Sequence, residues 1–95
     1  MTDEELDAVE RRAAAATPGP WESSVEGRDH DSGDSVILTG GPDVYISYGE
    51  WPEEQRRANE QRRANDLDFI AAARQDVPRL IAEVRRLRKR LSAGR

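Results

Sequence analysis

Apolar side chains near the start of the chain recur at helical spacing: Leu6, Val9, Ala13 and Ala16 step by three and four residues and share one face. Thr2 or Asp3 can cap such a helix, and the acidic first turn suits the positive end of its dipole. The pattern predicts a helix over residues 1–16, with Asp3 at its first turn. It must end there, because Thr17-Pro18-Gly19-Pro20 removes two amide donors and disfavours helix before each proline.

The period then falls to two. Trp21, Ser23 and Val25 alternate, Val36-Ile37-Leu38 form a short apolar run, and Val44, Ile46 and Tyr48 alternate again, predicting a small three-stranded antiparallel sheet within residues 17–50. Thr39-Gly40-Gly41-Pro42-Asp43 has hairpin chemistry, while Glu26 to Asp34 is polar, contains glycine and reads as a mobile loop. One sheet face would hold Trp21, Val25, Val44, Ile46 and Tyr48, and a helix must cover it, since a small isolated sheet is marginal in water.

Pro52 can open the next helix, predicted over residues 53–75, which begins with a tandem repeat: Glu54-Gln55-Arg56-Arg57-Ala58-Asn59, then Glu60-Gln61-Arg62-Arg63-Ala64-Asn65. A six-residue step turns a helix by about 600°, so Ala58 and Ala64 point in different directions and no apolar stripe accumulates. This stretch reads as a solvated spacer supported by local pairs such as Glu53 with Arg57, Arg56 with Glu60 and Glu60 with Arg63. Leu67, Phe69, Ile70 and Ala73 restore an apolar face, and Asp76 with Pro78 should reset or kink the helix.

Residues 76–92 carry the clearest pattern. Val77, Leu80, Val84, Leu87 and Leu91 repeat at intervals of three and four, with β-branched side chains at one heptad position and leucine at the other, which suits two-stranded, parallel packing. About two heptads are present, so the stripe serves equally as a core face within the protomer or as an oligomer interface. The expected architecture is a single α+β domain over residues 1–95: a helix, a three-stranded sheet and a long helical segment.

Composition sharpens this picture. Of the hydrophobic residues 12 are alanine, so a chain of 95 residues has little bulky apolar material and gains from oligomerisation, a dimer above all. Cysteine is absent, which excludes disulfides and thiolate chemistry and fits a reducing compartment. With an acidic start unlike a signal peptide and no apolar run of membrane length, a cytoplasmic protein without membrane contact is expected. The net charge of −4 hides a gradient: residues 1–50 are acidic, whereas residues 76–95 carry 2 acids against 7 bases.

Candidate chemistry is sparse. Asp29, His30, Asp31 and Asp34 cluster in sequence, but an EF-hand register starting at Asp29 puts Gly33 and Asp34 at the wrong positions, so no metal or other cofactor is expected. Gly40-Gly41 lacks the lysine and helix of a phosphate loop, and no pattern sets a base and an orienting carboxylate beside a nucleophile; no catalytic residue is assigned. Arg85, Arg86, Arg88, Lys89 and Arg90 are possible phosphate contacts, although pairing with the acidic N-terminal helix accounts for them more simply. Trp21, Trp51, Tyr45 and Tyr48 have no basic stripe beside them and suit core and rim packing better than base stacking.

Ala16-Thr17-Pro18-Gly19-Pro20-Trp21, and Asp66-Leu67-Asp68-Phe69-Ile70-Ala71-Ala72-Ala73-Arg74 followed by Asp76-Val77-Pro78, resemble motifs of small actinobacterial phage and prophage proteins similar to the Ead-like early-region proteins of temperate phages. The resemblance covers the first helix with its exit and the last 30 residues, not the strands or the hexapeptide repeat. It implies an accessory product without an assigned activity and carries no catalytic residue across; the expected role is an interaction protein that binds a host or defence component without catalysis. Physically, the first motif suits a lock in which the prolines turn the chain and Trp21 falls onto Phe69 and Ile70. Two other expectations remain beside it: a dimeric nucleic-acid-binding regulator using the basic C-terminal helix, and a protein that sequesters a small nucleotide-like signal between protomers.

Overall fold

The computed structural model describes residues 1–46 and 52–94. Helix α1 (Asp3–Ala15) is capped by Thr2, whose hydroxyl accepts from the Glu5 amide while the Glu5 carboxylate accepts from the Thr2 amide, a reciprocal capping box. Strands β1 (Glu22–Ser24), β2 (Val36–Leu38) and β3 (Val44–Tyr45) form an antiparallel sheet in sequence order, with Ile37 opposite Ser23 on one side and Val44 on the other. A 3-10 turn (Glu53–Gln55) leads into helix α2 (Arg56–Ala93), 38 residues long. The α+β architecture expected from the sequence is present. Tyr48 and Trp51 lie outside the described residues.

The helix covers the sheet, as the burial of its apolar face requires. Ile37 and Leu67 are completely buried and meet Val25, Ala64 and Ala71, with half-buried Trp21, Ile46 and Ile70 packed around them. Small alanines on α2 let the helix lie close to the strands, while Val25 and Ile37 fill the space between. Val44, expected on this inner face, is exposed. The turn from β2 to β3 is held by Thr39, whose hydroxyl donates to the Pro42 carbonyl and accepts from the Gly41 amide, with Gly40 at positive φ.

Two expectations about α2 need correction. The second hexapeptide copy is not solvated all round, because Ala64 enters the core while Glu60, Gln61, Arg62 and Asn65, like Ala58 of the first copy, stay exposed; Glu53 pairs with Arg56, at 3.2 Å, rather than with Arg57. Nor does Pro78 reset the helix, which runs on to Ala93. A proline inside a helix removes one hydrogen bond and crowds the preceding turn, a cost of about 3 kcal/mol. Here α1 lies antiparallel across it as a splint. The Arg74 guanidinium donates to the Ala13 carbonyl before the proline, and beyond it Arg85 pairs with Asp7 and Glu10 while Arg88 pairs with Asp3. Leu6 of α1 and Ile81 of α2 are the buried residues at this end. The molecule is elongated, 60 × 29 × 20 Å, because α2 extends beyond the sheet.

Candidate functional site

The heptad residues are divided between two roles. Val77 and Val84 are half-buried, whereas Leu80, Leu87 and Leu91 are 62%, 43% and 70% exposed. The buried residue of this stretch is Ile81, one position off the stripe, and it takes the place facing α1 that Leu80 would otherwise fill. Phe69, also expected to face inward, is 75% exposed. At about 100° per residue Phe69, Leu80, Leu87 and Leu91 fall within about 40° of one another, so the outer side of α2 carries one apolar row. Four large apolar side chains aligned in water are unusual on the surface of a small monomer.

Two grooves flank this row. One, about 370 Å³, lies between α1 and α2 and is lined by Val9, Trp21, Phe69, Ala73 and Val77 among others. The second is formed by Leu87, Arg90, Leu91 and Gly94 near the end of α2.

The wall containing Trp21 is built by the two segments singled out in the sequence. The Trp21 amide donates to the Gln75 side-chain oxygen at 3.0 Å and the Gln75 side-chain nitrogen donates back to the Trp21 carbonyl at 3.3 Å, while the indole N–H donates to the Thr17 carbonyl. Gly19 lies against Arg74 and Gln75, where a Cβ would come within 3.1 Å of the Gln75 oxygen. The Pro-Gly-Pro-Trp exit therefore docks on α2 through a carboxamide clamp, with Trp21, Phe69 and Ile70 lining the same groove. Gln75 carried no signal in the periodicity, since a two-point hydrogen bond to backbone has no repeat.

A polar cluster secures β1 to α2. Arg28 donates to both oxygens of Asp68 at 2.8 and 3.0 Å and pairs with Asp29, while the Ser23 hydroxyl donates to Asp68. The Arg28 guanidinium, helped by Ser23, holds the Asp68 carboxyl below its ordinary range; Arg28 together with the Val25 amide does the same for Asp29, and the two carboxylates push the Arg28 pKa up. Segment 26–34, expected as a mobile loop, is fastened by these bonds, by the Glu26 amide donating to Ser35, and by His30, whose ring lies 2.8 Å from the Ser24 hydroxyl and 3.1 Å from the Asp34 carbonyl. With that carbonyl accepting from Nε2–H, Nδ1 accepts from Ser24. Neither groove is lined by Ser24 or His30.

Three of the five bases named as possible phosphate contacts are already paired: Arg85 with Asp7 and Glu10, Arg88 with Asp3, and Arg86 with Glu83. Lys89 and Arg90 form no ion pair with another described residue. No family model, curated protein or solved structure matches the chain. Among the described residues no helix is long and apolar enough to cross a membrane.

Proposed function

We propose that the chain is a non-catalytic interaction protein, an accessory product of a phage or prophage that binds a host or defence component as a homo-oligomer joined through the outer face of α2. The observation carrying this reading is the exposed row of Phe69, Leu80, Leu87 and Leu91, whose contact with water is unfavourable by roughly 25 cal/mol per Å². The phage assignment draws on the resemblance of the Pro-Gly-Pro-Trp and Asp-Phe-Ile segments, and the approach of Gly19 to Arg74 with Trp21, Phe69 and Ile70 lining one groove gives their co-occurrence a physical reason. Affinity capture from an actinobacterial lysate tests the reading, with wild-type chain and Leu87→Asp as parallel baits. A component retained by the first and lost with the second is expected; identical retention by both overturns it.

A nucleic-acid-binding regulator is the second reading, favoured by Lys89 and Arg90 standing without an ion partner among the described residues beside three arginines. The pairing of Arg85 and Arg88 with acids of α1 weakens it, because those charges are partly neutralised within the protomer. Retention on DNA at low salt that falls steeply as salt is added would support it, and no retention at low salt removes it.

A further inference from the structure

The exposed row is symmetric along the helix. With Ala73, half-buried at the groove, its members are Phe69, Ala73, Leu80, Leu87 and Leu91, separated by steps of four, seven, seven and four residues. Reversing the direction of the helix about Leu80 therefore superposes the row on itself, Phe69 onto Leu91 and Ala73 onto Leu87. A self-complementary patch of this kind is what an isologous two-fold interface needs. We propose that α2 pairs antiparallel with α2 of a second copy of this chain, with the two-fold axis at Leu80; the proposal rests on the reading of this face as an association surface and names its occupant.

Size and charge both select this arrangement. In the antiparallel register the small Ala73 faces the large Leu87, so Leu87 and Leu91 of the second copy fill the groove beside Phe69 and Val77, and Phe69 fills the groove between Leu87 and Gly94. A parallel register would set Ala73 against Ala73 and leave a gap. On the flank away from α1 stand Asp76, Arg79, Glu83 and Arg86. In an antiparallel two-fold pair this flank meets itself, bringing Asp76 toward Arg86 and Arg79 toward Glu83 of the second copy, each pair formed twice. The cluster of Lys89 and Arg90, which form no ion pair with another described residue, is also kept apart from its copy by about 27 Å along the axis, well beyond the screening length of about 8 Å. Parallel pairing would lay the two clusters side by side.

The chain has no cysteine, so introduced thiols report on this geometry alone. Sedimentation of the wild-type chain should give a dimer, and Leu80→Asp, which sets two carboxylates against each other at the axis, should weaken it by about 100-fold or more while the helical circular dichroism persists. Ala73→Cys and a mass-tagged Leu87→Cys chain, each first verified as a dimer by sedimentation, are then mixed and treated with a short bismaleimide. Cross-linking between the two variants is expected. A monomeric wild-type chain, retention of the dimer in Leu80→Asp, or cross-links formed only within each variant would overturn the proposal. A monomer that still captures a component and loses it with Leu87→Asp would refute the self-pairing alone and leave the interaction reading intact.

Discussion

Single side chains in this protein stitch together parts that the sequence keeps far apart. Asp68 joins α2 to Ser23 and Arg28, and Gln75 joins it to the backbone of Trp21. Asp68 titrates below the ordinary Asp value of 3.8, held charged first by Arg28 and then by Ser23. A carboxyl whose folded pKa is depressed stabilises the fold fully above its unfolded value, and that contribution is lost as pH falls through the folded value. Asp68→Asn should therefore unfold more readily than wild type at neutral pH, with the difference shrinking below about pH 4; chemical denaturation at several pH values measures it. The lock expected of the Pro-Gly-Pro-Trp exit is present in part: Trp21 and Ile70 pack against the core cluster, whereas Phe69 lines the same groove but is left 75% exposed. The burial of Ile81 was not legible, since it lies off the heptad pattern, which left its neighbour Leu80 open to a core or an oligomer face; which of two adjacent residues faces α1 depends on where α1 lies, and no local spacing fixes that.

At the level of elements, the order of helix, three strands and helix was legible from changes in apolar period, and the ends of α1 from Thr2 and the Pro-Gly-Pro segment. The continuity of α2 was not. Local propensity argues for a break at Pro78, whereas α1 is fastened to α2 on both sides of it, from Arg74 to Arg88, and splints the helix through it. The hexapeptide repeat teaches the same lesson. Ala58 and Ala64 occupy equivalent letters, yet one is exposed and the other 8% exposed in the core. Ala58→Glu should change stability by less than about 0.5 kcal/mol. Ala64→Glu, which forces a carboxylate between α2 and the sheet, should cost about 3 kcal/mol or more, lowering the melting temperature by over about 10 °C. Thermal unfolding of the two variants side by side gives the comparison, and equal melting temperatures would contradict the core placement of Ala64.

Seen as a whole, the molecule pairs a compact end, where the sheet meets α2, with a rod whose outer face is apolar. Its charge gradient is resolved internally, as acids of α1 lie along bases of α2. Ile46 and Ala64 both meet the packed cluster, which sets the excursion between these two contacts at 18 positions of sequence. The tandem hexapeptide falls within that excursion up to Ala64, and removing Glu54 to Asn59 leaves every letter from Glu60 onward in place. Shortening such an excursion alters closure entropy by well under about 1 kcal/mol. The shortened chain should melt within a few degrees of the parent, as differential scanning calorimetry would read. A chain that melts so would tolerate drift in copy number without disturbance of the hydrophobic centre, the change falling on how far the leading turns of the rod reach.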